Sequence, residues 1–255
     1  MKLTFQDKAP ESATVPHCSA TEDVGVPLLT SFGRRTSASE FAYGQLRDAI
    51  ISLALPPGSV LSRNEIARQL GISQTPMREA IVRLQEERLV EVVPQSATRV
   101  SRVDLASARE AHFLRLSIEL EIVRRLAGSP SPALARVLEA ELSRMEAGLA
   151  AGNHTDFTAA DEAFHSALYS AAEVPNLRAL VRSRSGHLDR LRRLHLPSPG
   201  KAEAVLDDHR ELALAMMSGD ARQAEARLRA HMSGTFAEIE RLRATLPNYF
   251  QTDVP

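Results

Sequence analysis

Asp161 and His165 stand four residues apart in DEAFHSAL, a spacing that puts both side chains on one face of a helix. His209, in DDHRELALAM, and His231, in RLRAHM, follow on two later helical stretches. One carboxylate and three imidazoles make a ligand set suited to a divalent transition metal. Four protein ligands can close a tetrahedron, which gives a purely structural site. A six-coordinate ion would instead keep two positions for water or for oxygen atoms of another ligand. Spacing alone leaves a plainer alternative open. The chain also holds His112, His154, His187 and His195, and any of its histidines can be a surface or hydrogen-bonded core residue.

A second chemistry is written into residues 62–93, SRNEIARQLGISQTPMREAIVRLQEERLVEVV. Ser62 with Glu65 forms a capping box, which predicts a helix starting at about Arg63. Ile66, Ala67 and Leu70 line one face of it, and Gly71 suits a left-handed helix stop. Ser73 or Thr75 can cap the next helix, with Pro76 tolerated in its first turn. Met77, Ala80, Ile81 and Leu84 then make a buried stripe. Gln74, Thr75 and Arg78 fall on the opposite face near the helix N-terminus. Leu89 to Val93 and Thr98 to Val100 flank Pro94 and suit a two-stranded wing. Two helices, a tight turn and a wing form a shape that fits a DNA major groove. An ordinary helical hairpin is the bland alternative.

The elements that must position these groups follow from composition and punctuation. A chain of 255 residues has room for two cores. Its formal net charge is -1, so no global field drives nucleic-acid binding, and any binding charge must be local. Residues 63–83 carry Arg63, Arg68, Arg78 and Arg83 against Glu65 and Glu79, a small positive excess. The single cysteine, Cys18, excludes an internal disulfide. No apolar run reaches membrane-span length, and no signal peptide is evident. Residues 1–36 lack periodicity and read as a mobile tail, in which Arg34 and Arg35 are a possible DNA-touching arm. A winged helix-turn-helix domain is expected over 37–102, a helical domain over 103–246 and a C-terminal tail over 247–255. The helical half divides at GSPSP, GN, VPN, LPSPG and SGD into predicted helices 104–127, 132–151, 155–172, 176–195, 201–218 and 220–245. The fold class is therefore mainly α, a winged helix followed by an all-helical bundle.

FAYGQLRDAIISLALPPGSVLSRNEIARQLGISQTPMREAIVRLQEERLV resembles the winged-helix domain of the GntR family of bacterial transcription regulators. The LPPGSVLS turn, the LGIS turn, the TPMREAI start and the ERLV exit match that family's pattern in order. The resemblance implies DNA contact by Thr75 and Arg78 at the recognition-helix start, and by Arg63 and Asn64 on the preceding helix. Gln74 stands where members often have arginine, and glutamine pairs most naturally with adenine. Ala97 replaces a wing-tip glycine, and Arg88 replaces a glycine before the wing.

DEAFHSAL with DDHRELALAMMSGDARQAEARLRAHM resembles the FCD ligand-binding domain of the family's FadR-type branch. Many members bind a metal through an Asp-x-x-x-His pair and two later histidines, which the resemblance places at Asp161, His165, His209 and His231. Zinc is the first candidate, with nickel, manganese or iron as alternatives. The resemblance also implies an internal pocket for a small organic or sugar acid, with Arg115 as its first arginine. Members often have a glutamate four residues later, here Glu119. Arg190 and Arg193 in HLDRLRRLHL are further effector-binding candidates. The whole reads as a homodimeric, cytoplasmic, nucleoid-associated regulator, a repressor on a palindromic operator, with no catalytic residues. Two alternatives remain: a metal-dependent hydrolase, for which no HExxH supplies a base, and a regulator sensing the metal itself.

Overall fold

A computed structural model describes residue 30 and residues 36–93 and 97–252. Arg34, Arg35 and most of the expected tail lie outside the described residues, as does Pro94 at the wing tip.

The first helix, α1 (Ala38–Ile51), starts at Ser37, whose hydroxyl accepts from the Glu40 N–H. Helix α2 (Arg63–Leu70) is capped by Ser62 through the Glu65 N–H and ends at Gly71 with φ 67°. That is the left-handed stop its glycine predicts. Helix α3 (Gln74–Glu86) begins after Ser73, whose side chain makes no cap bond. Strands β2 (Val90–Val93) and β3 (Ala97–Val100) pair antiparallel, Val90 opposite Val100. A third strand, β1 (Val60–Leu61), adds to β3 and makes the order β1-β3-β2. The sequence pattern expects only the two-stranded wing, because two residues are too few to show alternation. Leu46, Ile50, Ile66, Leu70, Met77, Ile81 and Leu84 form this domain's core.

Helices α4 (Leu105–Gly128), α5 (Pro132–Ala150), α6 (His154–Ala171), α7 (Pro175–Arg184), α8 (Gly186–His195), α9 (Lys201–Met217), α10 (Ala221–Ser233) and α11 (Ile239–Thr245) build the second half. Two predicted helices each divide in two. The 176–195 stretch breaks at Ser185, whose hydroxyl turns back to the Val181 carbonyl. The new helix then starts at Gly186, where a Cβ would lie 2.5 Å from Leu89 Cδ2 of the winged helix. The 220–245 stretch breaks after Ser233. Around Ile122, Val123, Phe164, Leu168, Leu212, Met216 and Leu228 lies the main bundle core.

The expected tail over 247–255 needs correction at its start. Pro247–Tyr249 forms a single 3₁₀ turn, and Phe250 is buried with Val103, Leu191, Ile239 and Leu242. The Val103 N–H donates to the Tyr249 carbonyl at 2.7 Å, and the Gln251 N–H donates back to the Val103 carbonyl at 3.0 Å. Burying an aromatic ring offsets the entropy of ordering the segment. The linker between the domains is thereby tied to the chain's far end.

The domains also touch directly. Arg88 has φ 59°, a conformation that favours the glycine expected there. Its carbonyl accepts from Ser101 Oγ at 2.5 Å and lies 3.1 Å from His187 Nε2. Those partners hold the left-handed backbone that arginine adopts at a cost of about 1 kcal/mol.

Candidate metal centre and DNA-contacting surface

Three helices supply the four metal candidates. Asn153 caps α6 through the N–H groups of Thr155 and Asp156, and two turns later that helix presents Asp161 and His165. Helix α9 adds His209 and α10 adds His231. All four side chains are buried, and one ligand atom from each lies within 4.8 Å of the others. Phe164 packs edge-on against His209 and His165, walling the group off from the main core.

The hydrogen bonds around the cluster assign its tautomers. His209 Nδ1 is 2.7 Å from the Val205 carbonyl, so that nitrogen carries the proton and Nε2 is a bare lone pair. The lone pair faces Asp161 Oδ1 and His165 Nε2, each at 3.3 Å. His165 Nδ1 lies 3.0 Å from Glu119 Oε2, and neither atom has another partner among the described residues, so the carboxylate favours the proton on that side of the ring. Acceptors converging on acceptors in a buried space repel unless a cation lies between them. The residues therefore fit a divalent metal.

Electrostatics favour the same state. Burial, with some relief from Glu119, pushes His165 down to about 3. Burial and the neighbouring His209 push His231 down to about 4. Both are neutral and able to ligate near neutral pH. Burial alone would raise Asp161, but Arg192 and His209 hold it well below the usual carboxylate range. Arg192 Nη2 donates to Asp161 Oδ2 at 2.7 Å.

Beside the cluster lies a cavity of about 380 Å³, with Asp161 and His231 in its wall. Arg115 lines it and is buried, donating from Nε to Glu119 Oε1 at 2.8 Å. This is an interior pair, not the surface pair that spacing alone would allow. Burial opposes both charges, yet Arg115 is held above its usual range by Glu119, and Glu119 below its own by Arg115.

Arg193 also lines the cavity, tied to the His154 carbonyl at 3.1 Å and to Thr158 Oγ1 at 2.8 Å. Arg190 does not, and its expected place is corrected. Its Nη1 donates to the Ser101 carbonyl at 2.6 Å and its Nη2 lies 2.9 Å from His187 Nδ1. Helix α8 turns His187 and Arg190 toward the winged helix while Leu188, Asp189, Arg192 and Arg193 face the cavity. The sequence signal for Arg192 was its place in the same basic run. Only the helix phase sorts the run.

Arg47, Asp48 and Ile51 of α1 and Ser52 just after it complete the cavity wall, so the winged helix shares it. Nothing in the α1 pattern announces this. In the same domain, Arg63, Asn64, Gln74, Thr75 and Arg78 are all exposed at the starts of α2 and α3. Arg83 is instead stacked on Tyr43, 3.8 Å from the ring centroid.

Residues 38–100 match the model of the bacterial regulatory proteins, gntR family, and residues 110–234 match the FCD domain. An HTH-type transcriptional regulator in an unstable DNA locus of Streptomyces ambofaciens is 38% identical over 211 residues, 83% of this chain and 89% of that protein. The HTH-type transcriptional repressor RspR of Escherichia coli K12 is 24% identical over 83% of this chain and 92% of its own. The solved structure of E. coli McbR/YncC superposes with TM-score 0.70 at 22% identity, covering 82% of this chain and 99% of that one, a likeness of fold. These relatives are transcriptional regulators, and the hydrolase alternative falls with them. The chain belongs to the GntR family of bacterial regulatory proteins, with a C-terminal FCD domain, and is a DNA-binding transcription regulator and not an enzyme.

Proposed function

We propose that this regulator is a cytoplasmic homodimeric repressor that releases a palindromic operator when a small organic or sugar acid enters the cavity of its FCD domain. Arg63, Asn64, Gln74, Thr75 and Arg78 contact DNA, with Gln74 and Arg78 reading base edges. Two copies double the contacts and set the half-site spacing.

In the bundle, Asp161, His165, His209 and His231 hold a divalent metal, zinc first among the candidates. Such an ion supplies a Lewis-acidic point that an acid's oxygens can chelate. Arg115 and Arg193 pair with the remaining carboxylate, since guanidinium geometry matches it. Arg192, already on Asp161, stands beside the same space.

The observation that carries this reading is the shared wall. An acid bound beside Arg115 also lies against Arg47, Asp48, Ile51 and Ser52 of the winged helix. A ligand that prefers one docking of the two domains shifts the population of that docking, and operator affinity follows.

The test is fluorescence anisotropy on DNA from upstream of the gene, at fixed physiological salt, with and without a panel of sugar acids and small carboxylates. Specific binding that one acid weakens supports the reading. Binding that no acid changes, but that a chelator abolishes and zinc restores, assigns the signal to the metal. Absence of specific binding to any upstream palindrome sinks the operator assignment.

A further inference from the structure

We infer that Glu119 is the positioning residue that holds His165 in its metal-binding tautomer and ties that ligand to the arginine in the cavity wall. The inference rests on the metal reading of the four-residue cluster.

Glu119 is fully buried on α4 and is one turn from Arg115. Its two oxygens have different tasks. Oε1 accepts from Arg115 Nε at 2.8 Å and from the Tyr169 hydroxyl at 3.3 Å. Oε2 is left for His165 Nδ1 at 3.0 Å. With both donors on Oε1, Oε2 and His165 Nδ1 are buried with no other partner among the described residues, so the group that Oε2 faces is the Nδ1–H. A proton held on Nδ1 toward that carboxylate commits the Nε2 lone pair to the cluster centre, and a carboxylate neighbour also raises the basicity of the ligating nitrogen.

The other two imidazoles are held differently. His209 is fixed by the Val205 carbonyl, which no side-chain change removes. His231 Nδ1 is 3.7 Å from Asp208 Oδ2, a carboxylate open to solvent and too distant for a firm bond. Glu119 alone of these partners is a buried charge, and it is hydrogen-bonded to the cavity residue Arg115. A carboxylate that draws Arg115 toward itself therefore alters the partner of a metal ligand, which links the two sites.

Glu119→Gln probes this with little change in shape. Its amide oxygen takes the Arg115 bond, because an NH₂ cannot face a guanidinium. The NH₂ then faces His165 Nδ1 and favours the opposite tautomer, whose Nε2–H blocks the site.

Purified full-length metal-free protein is titrated with zinc against a chromophoric chelator near neutral pH. Imidazole-nitrogen NMR of the metal-free protein reads the His165 tautomer directly. Wild type should show His165 protonated on Nδ1. Glu119→Gln should shift that tautomer and weaken zinc binding by about 10–100-fold, while Asp208→Asn changes it far less. Should Glu119→Gln fail to fold, the Arg115→Met/Glu119→Met pair removes both charges together and leaves neither buried alone. The same loss of zinc affinity is then expected. Zinc affinity within about twofold of wild type in the folded variant, with the His165 tautomer unchanged, overturns the role of Glu119. A wild-type protein that takes up no zinc, nickel, manganese or iron overturns instead the metal reading on which it rests.

Discussion

Arg47, on the first helix of the winged helix, donates a 2.6 Å hydrogen bond to the carbonyl of Arg182 in the bundle. The same guanidinium pairs with Glu87 at 3.0 Å and approaches Asp189 at 4.0 Å, and it is 4% exposed. Breaking it leaves a carbonyl and a carboxylate with little water to replace it. Arg47→Met should cost about 3 kcal/mol in urea unfolding. It should also shrink the ratio of operator affinities measured with and without the acid effector, because the contact joins the two domains at the cavity wall. A variant of full stability and unchanged ratio would show that Arg47 is not part of the coupling.

At the DNA surface, the recognition helix offers a graded test. Arg78→Ala should weaken specific operator binding by about 1–3 kcal/mol, and Thr75→Ala by less. Gln74→Ala should relax preference at one base pair while sparing the salt dependence, since a base-edge contact releases no counterion. Anisotropy titrations on operators substituted one position at a time, across a salt series, measure all three. Equal loss on specific and non-specific DNA for Gln74→Ala would move that residue to the backbone.

His209 is fully buried and faces both Asp161 and His165 with its Nε2. A metal held there stabilises the folded chain by mass action, about 2.7 kcal/mol when free metal is a hundred times its dissociation constant. Chelation should therefore lower the melting temperature of wild type, and zinc should restore it. In His209→Ala the melting temperature should no longer respond to either. A response that persists in this variant would place the metal elsewhere.

Stability should fall as pH drops below about 6.5. His187 is pushed from 6.5 down to about 3, first by burial and then by the Arg190 guanidinium. Between those values the unfolded chain binds a proton that the folded chain refuses. The contribution is complete above 6.5 and is lost as pH falls toward 3, at about 1.4 kcal/mol per pH unit for one histidine. In metal-free protein His165 and His231 act in the same direction. Urea midpoints across this range should show a shallower slope for His187→Gln than for wild type. An identical slope would mean that His187 is protonated in the folded protein.

Gly148 offers a reversal of the usual helix rule. Replacing glycine by alanine inside a helix commonly stabilises by up to about 1 kcal/mol. Here the added Cβ would sit 2.8 Å from the Phe157 backbone nitrogen and 3.3 Å from the Asn153 carbonyl. Backbone on α6 cannot move aside as a side chain can. Gly148→Ala should destabilise by roughly 1–3 kcal/mol in thermal or urea unfolding. A gain in stability would show that α5 and α6 can part locally.

What the chain determines locally could be read directly. Ser62, Gly71 and the Met77–Leu84 stripe specify the helix-turn-helix, because capping and period depend on neighbours within a few residues. The Asp161–His165 spacing likewise places two groups on one face of α6 without help from the rest of the fold. That His209 and His231 join them is a matter of how α9 and α10 pack, since neither lies near α6 in sequence. The basic run at 190–193 shows the difference within four residues. Composition marks all its arginines as alike, but the helix restart at Gly186, set by close approach to Leu89, turns Arg190 to the winged helix and Arg192 and Arg193 to the cavity. The roles of Arg47 and Glu119 were equally out of local reach. Each acts through partners from α6, α7 or α8, and only side-chain packing between distant helices decides which atoms meet.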